Sequence, residues 1–326
     1  MGTGVTYVNK RAGVDLLTLG EPIVCLDTHG TRIDNGSVLH VALGGAECNV
    51  AIGLARLGHT SAVIGRVGAD AFGRTARRRL LAEGVDVSNL VVDETAPTAV
   101  LFKEQTARGS EVHYRRAGCA GSLVSVADVD ALVVELARCV HVTGVTAALG
   151  PGPRAAVGYL MRSAREAGAR VSFDANLRRK LAADDELVEM FHELCSHADD
   201  VLIGWGEAAL IAGDDTDGAI TAMVAGLERP CVVVKRPSGG AICLENGEWS
   251  AHAAFQVAVV DPVGAGDAFA VGFLHERLTG GTTADALARG ADIASRVIGM
   301  HGDNAALPYA DELGLGSSRV QPGVQR

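Results

Sequence analysis

Aromatic residues are scarce in this 326-residue chain, with Phe, Trp and Tyr together making 4% of it. Apolar residues still reach 48%, so Val, Leu, Ala and Ile must fill any large core. A basic excess is also missing. Lys and Arg number 29 against 39 Asp and Glu, a formal net charge of −10. Nucleic-acid binders usually carry a basic face, so no nucleic-acid partner is expected. An anionic small molecule is not excluded, because a local arginine cluster outweighs the global sign. No CxxC pair occurs, and the seven cysteines are scattered singly. That usage fits a reduced, cytoplasmic protein with small buried thiols. No apolar run approaches the length of a membrane span and no signal-peptide pattern is visible, so no membrane partner is expected.

What the chain does have is alternation. "DLLTLG" (15–20), "SAVIG" (61–65), "CVHVTG" (139–144), "ARVSFD" (169–174), "DVLIG" (200–204) and "CVVVK" (231–235) read as buried strands. Helical patterns lie between them, near 46–57, 70–83, 126–138, 153–167, 184–196 and 217–227. Strands alternating with helices predict an α/β fold of three layers, a mostly parallel sheet covered on both faces. Ligands in such folds sit beyond the carboxyl ends of the strands. Two segments break the alternation, 21–43 and 97–118. Both read as strand pairs, with turns at "DNG" (34–36) and "ARGS" (107–110), and together predict a small β-sheet lid. The expected domain runs over 12–310, with 1–11 and 311–326 as flexible tails.

The stretch "DPVGAGDAFAVGFL" (261–274) places Gly264, Ala265 and Gly266 directly before Asp267 and an apolar helix. Glycines let backbone N–H groups converge without a Cβ in the way. At a helix start those groups are unpaired, and the dipole favours an anion. Such a nest steadies a transferring phosphoryl group, and the adjoining carboxylate can take a proton from an attacking hydroxyl. The bland alternative is a Gly-rich turn with an acidic cap. The Lys-Ser/Thr ending of a Walker loop is missing. So is the third glycine of a dinucleotide fingerprint, and with no such fingerprint near the first strand a nicotinamide dehydrogenase fails.

This stretch closely resembles the C-terminal signature of the ribokinase-like (PfkB) carbohydrate kinases. "GGAECNVAIGLARLG" (44–58) resembles their N-terminal signature, and the similarity spans roughly 15–310. The resemblance implies an ATP-dependent sugar kinase with Mg²⁺, a ribokinase-like fold, and a β lid that often forms a dimer, so a homo-oligomer is expected. It implies that Asp267 is the catalytic base and that the amides around Gly264, Ala265 and Gly266 form the anion hole. Gly44, Gly45 and Asn49 fall where the family binds sugar hydroxyls. "KRPSGG" (235–240) resembles the nucleotide side, with Lys235, Ser238, Gly239 and Gly240 near the ATP phosphates; alone it would read as a hairpin turn. Glu207 matches the Glu of the family's Asn-x-x-Glu, which organises the Mg²⁺ shell through water, but Gly204 stands where the Asn usually does. Asp261 and the loop around Gly302 match positions for an activating K⁺.

For the sugar, "VHYRRAG" (112–118) and "FDANLRR" (173–179) resemble the 2-keto-3-deoxygluconate kinases, as does the Pro of "DPVGAGD". The resemblance implies Arg116, Arg178 and Tyr114 as contacts to a substrate carboxylate, which suits a bidentate Arg. Fructokinase, ribokinase, nucleoside kinase and a non-catalytic sugar or nucleotide sensor stay open. The His192, Cys195 and His197 of "HELCSH" read as residues spread around a helix, and "RTARRR" (74–79) as a solvated helix face.

Overall fold

The computed structural model describes residues 13–28, 31–33, 38–106 and 109–315. The strands, in chain order, are β1 (Val14–Leu19), β2 (Ile23–Asp27), β3 (His40–Gly44), β4 (Ser61–Gly68), β5 (Leu90–Asp93), β6 (Val100–Thr106), β7 (Gly109–Arg115), β8 (Ala137–Thr143), β9 (Arg170–Asp174), β10 (Asp200–Gly204), β11 (Cys231–Arg236), β12 (Gly240–Glu245) and β13 (Glu248–His252). Nine of them form the main sheet, in the order β13-β12-β11-β10-β9-β8-β1-β4-β5. It is parallel from β11 across to β5, and antiparallel only where β12 and β13 close one edge.

Period-two alternation explains the layers. Leu17, Leu19, Val140, Val142, Val232 and Val234 face one core. Their neighbours Leu16, Cys139 and Val233 face the other. The first face is covered by the helices Pro151–Glu166 and Asp184–Cys195. The second is covered by Ala46–Arg56, Ala265–Thr279 and Thr283–Ile298. This is the three-layer α/β arrangement read from the sequence. All seven cysteines are free and buried. No helix among the described residues is long and apolar enough to cross a membrane.

A second, four-stranded sheet runs β3-β2-β6-β7, as the two interrupting segments predicted. It has its own small core of Ile23, Cys25, Ala99, Leu101 and Cys119. The "DNG" turn and the first two residues of "ARGS" lie outside the described residues, as do the N-terminal tail and the chain beyond 315. The 311–315 end of the expected C-terminal tail opens with a 3₁₀ turn at Asp311–Leu313.

One segment differs from its periodic reading. The helix expected near 126–138 is a 3₁₀ turn at Val126–Asp128, a single helical turn at Ala131–Val134, and then β8 from Ala137. Two acidic side chains divide it. Asp128 accepts from the Ser125 N–H at 2.8 Å, and Asp130 from the Leu132 N–H at 2.9 Å. Each makes a local start, so the segment breaks into two short turns.

Candidate active site

β1 lies between β8 and β4, and the chain builds outward from it in both directions. That makes the β1 carboxyl end a switch point, where open α/β sheets hold their ligands. Asp174 closes β9, Gly204 closes β10 and Lys235 lies one residue from the end of β11.

The helix Ala265–Thr279 begins above this edge at Gly264, whose φ of 84° is left-handed. A Cβ there would collide with the Asp303 carbonyl oxygen, so only glycine fits. No side chain caps the helix. Among the described residues the Gly266 and Asp267 amides have no backbone acceptor, whereas the Ala265 N–H leans on Pro262 O at 3.4 Å. The open part of the expected cradle is thus Gly266 joined by the amide of Asp267 itself. A Cβ on Gly266 would lie 3.4 Å from Lys235 Nζ, so an ammonium stands beside the free amides. Amides, helix dipole and ammonium all favour an anion.

Asp267 is half-buried in the first turn of that helix. Asn49, buried in the helix Ala46–Arg56, donates Nδ2 to Asp267 Oδ2 at 2.8 Å. Asn304 in turn donates to Asn49 Oδ1 at 2.9 Å and to Leu43 O at 2.8 Å. This fixes which face of the Asn49 amide meets the carboxylate. Burial, reinforced by the Asp174 charge, pushes the Asp267 carboxyl up to about 6 against the pull of Asn49, Arg178 and Lys235. A carboxylate in that range ionises at neutral pH and is still basic enough to accept a proton.

Gly45 precedes the Asn49 helix with φ 110°, and a Cβ on it would collide with Glu21 O. Gly44 ends β3, with Asp303 Oδ2 3.4 Å from the place of a Cβ. These glycines let β3, the helix and the Asp303 loop meet closely around Asn49.

The other residues singled out in the sequence fall as follows. Lys235 pairs with Asp174 Oδ2 at 2.5 Å. Ser238, Gly239 and Gly240 form the hairpin between β11 and β12, with Ser238 and Gly239 exposed. Arg236 in the same turn stacks on Trp205, 4.4 Å from the ring centre. Glu207 accepts from the Gly204 N–H at 2.7 Å and from the Leu177 N–H at 2.8 Å, so it ties the ends of β10 and β9 together. Arg178 is exposed on the loop after β9. Tyr114 is exposed, and Arg116 lies over its ring at 5.0 Å. The Arg116 guanidinium gives Nε and Nη2 to Glu21 Oε2, which leaves Nη1 for another partner. Asp261 is held on both oxygens, Oδ2 by the Lys103 ammonium and Oδ1 by the Val263 N–H at 3.2 Å.

Sequence reasoning passed over several polar groups around this site. Asp174 sits in the "FDANLRR" cluster, and its place at a strand end was the available signal. Glu47 is a fully buried acid whose Oε1 accepts from Thr143 and Thr146 at 2.7 and 2.6 Å. Burial raises it to about 7. Asp303 and Asn304 lie in the loop around Gly302 that the family resemblance marked, whereas Lys103 carries no local signal at all.

A basic carboxylate beside an ammonium-flanked amide cradle, at the switch point of a parallel sheet, defines a phosphotransferase class of site. The model of the pfkB family carbohydrate kinases matches residues 24–310. The chain belongs to that family, and it is a phosphotransferase acting on a sugar hydroxyl. It is 32% identical to a 2-dehydro-3-deoxygluconokinase of Thermoproteus tenax, over 93% of this chain and 94% of that one. It is also 32% identical to an Escherichia coli fructokinase, over 83% and 90% respectively. Among solved structures, a PfkB protein from Polaromonas sp. JS666 superposes with a TM-score of 0.84 at 35% identity, covering 93% of this chain and 100% of that one. An Escherichia coli protein assigned as ribokinase II, solved with ATP and Mg²⁺, superposes with a TM-score of 0.84 at 23% identity, covering 92% and 98%. The fold is ribokinase-like.

Proposed function

We propose that the chain phosphorylates 2-keto-3-deoxygluconate from ATP, with Asp267 as the base. The observation that carries this reading is the Asp267 carboxylate, oriented by Asn49 at 2.8 Å and adjoining the open Gly266 and Asp267 amides. Asp267 takes the proton of the acceptor hydroxyl as that oxygen attacks the γ-phosphorus, and the bond from the γ-phosphorus to the bridging oxygen breaks to release ADP. The amide cradle and Lys235 hold the charge on the transferring oxygens, where fixed dipoles act most strongly. Gly44, Gly45 and Asn49 bound the sugar side; Lys235 and the Ser238–Gly240 turn bound the nucleotide side.

The residues present fit Mg²⁺-ATP. Asp174 Oδ1 is buried without a hydrogen-bond partner at the strand end beside Lys235. Glu207 has its oxygens on backbone amides and keeps lone pairs for a bridging water. When bound, Mg²⁺ neutralises the phosphate oxygens. These two acids are the groups that would hold it.

The keto-acid assignment rests on the similarity to the Thermoproteus tenax enzyme and on arginine chemistry. Arg178, exposed near Asp267, is the stronger candidate for the substrate carboxylate. Arg116 contributes through Nη1 and through the Tyr114 face it covers. Two copies associate through the second sheet, which acts as the lid. The test is an ADP-release assay over 2-keto-3-deoxygluconate, its galactose-derived epimer, fructose and ribose. The keto acids are expected to show the highest kcat/KM, with Arg178→Ala raising KM for them and leaving fructose turnover little changed. Preferred turnover of fructose or ribose replaces the sugar assignment while keeping the mechanism.

A further inference from the structure

Lys103 is a lone lysine in the middle of β6, in the second sheet, and it is 3% exposed. Its ammonium meets Asp261 Oδ2 and lies 3.6 Å from Asp303 Oδ1. Asp27, paired with Lys103 in register on β2, adds a third acid whose charge acts on the same ammonium. Asp27 is 6% exposed and Asp261 1%. Buried carboxylates need a cation or must give up their charge, and here one side chain supplies it.

The position matters more than the pairing. Asp261 opens the loop that leads into Gly264, and its Oδ1 holds the Val263 amide. Asp303 packs its backbone against Gly264. The next residue, Asn304, orients Asn49, which orients Asp267. One ammonium therefore fixes both loops that frame the cradle and the base. These are also the positions, Asp261 and the loop around Gly302, at which the sequence suggested a diffusible monovalent cation. Such an ion would find its place taken, because the Lys103 ammonium already lies against Asp261 Oδ2 and 3.6 Å from Asp303 Oδ1.

We propose that Lys103 is a built-in monovalent cation, a positioning residue whose tethered ammonium fills the Asp261–Asp303 gap and frees phosphoryl transfer from any added K⁺. This rests on the kinase reading above. It also makes the second sheet an integral part of the cradle, since Lys103 cannot leave without uncovering two acids.

The experiment exchanges salts at constant ionic strength. Wild type is expected to keep its rate within about twofold across potassium, sodium, ammonium and tetramethylammonium chlorides. Lys103→Ala leaves a cation-sized gap. In tetramethylammonium it is expected to lose activity on the order of tenfold or more in kcat, with a smaller change in KM. Potassium, ammonium or methylammonium should restore it saturably, and the same ions should raise its melting temperature while leaving that of wild type unmoved. The melting shift reads the cation site even if the sugar has been misassigned, which separates the two hypotheses. Potassium activation of wild type would overturn the proposal. So would a folded Lys103→Ala whose activity and melting temperature ignore the cation. If that variant does not fold, the wild-type salt series still decides the matter.

Discussion

At the scale of single residues, the chemistry depends on a carboxylate that folding has made more basic. Partial burial of Asp267 raises it to about 6, and two consequences have definite signs. Turnover needs the ionised form, so kcat/KM should fall about tenfold per unit as pH drops below about 6. Asn49 favours the ionised form through its hydrogen bond. Asn49→Ala should therefore move that limb to higher pH as well as slow the reaction. A limb that does not move would detach Asn49 from the base. Stability runs the other way. A group whose folded pKa is raised binds its proton more tightly in the native state, so its contribution declines as pH climbs from the ordinary carboxylate range through about 6. Asp267→Asn carries no such burden. It should lose roughly a hundredfold to ten-thousandfold in kcat yet melt no lower than wild type in alkaline buffer, with the gap narrowing toward acid. Low activity with a lowered melting point at alkaline pH would mean that Asp267 is structural.

At the scale of elements, close helix packing puts the site together. A Cβ on Gly272 would collide with Arg289 O, and one on Gly53 with Val271. The helices Ala46–Arg56, Ala265–Thr279 and Thr283–Ile298 thus approach at glycines, and that approach brings Asn49 within reach of Asp267. Gly272→Val should destabilise by about 1–3 kcal/mol or more by overpacking, read as a lower urea midpoint with an unchanged slope. An unchanged midpoint would mean that the helices can separate without cost. The same elements show what was legible beforehand. Buried parallel strands announce themselves as apolar runs because both their faces need cover, so β1, β4 and β8 to β11 could be read directly. The GAGD and GGAECN stretches were legible because their glycines serve backbone geometry, which is local. The 126–138 segment misled because Asp128 and Asp130 cap turns inside an apolar pattern. Lys103 and Glu47 were invisible for a different reason. Their roles are set by partners 158 and 96 positions away in the chain, and no window of sequence contains that distance.

At the scale of the whole molecule, the second sheet keeps apolar side chains in solvent beside its β3 strand. Ile23, Cys25 and Leu101 form its own small core on one face, and Val24 and Leu43 on the other join the second main core, yet Val41 on β3 is 42% exposed and Val38, just before it, 75%. Exposed apolar side chains beside an end strand invite pairing or cover. The proposed dimer would supply that cover with a second copy and hold each lid over its own cradle, where water must be excluded for phosphoryl transfer to the sugar. Sedimentation velocity should then give a dimer for wild type. Val41→Glu places a charge at the exposed start of β3 and should shift the chain toward monomer, raising KM for the sugar more than it lowers kcat. Leu132→Glu is the matching control, since Leu132 is 63% exposed in the Ala131–Val134 turn, outside the second sheet. It should change neither mass nor KM. A wild-type monomer with full activity, or a Leu132→Glu variant that dissociates equally well, would show that the second sheet closes over the site without help from another copy.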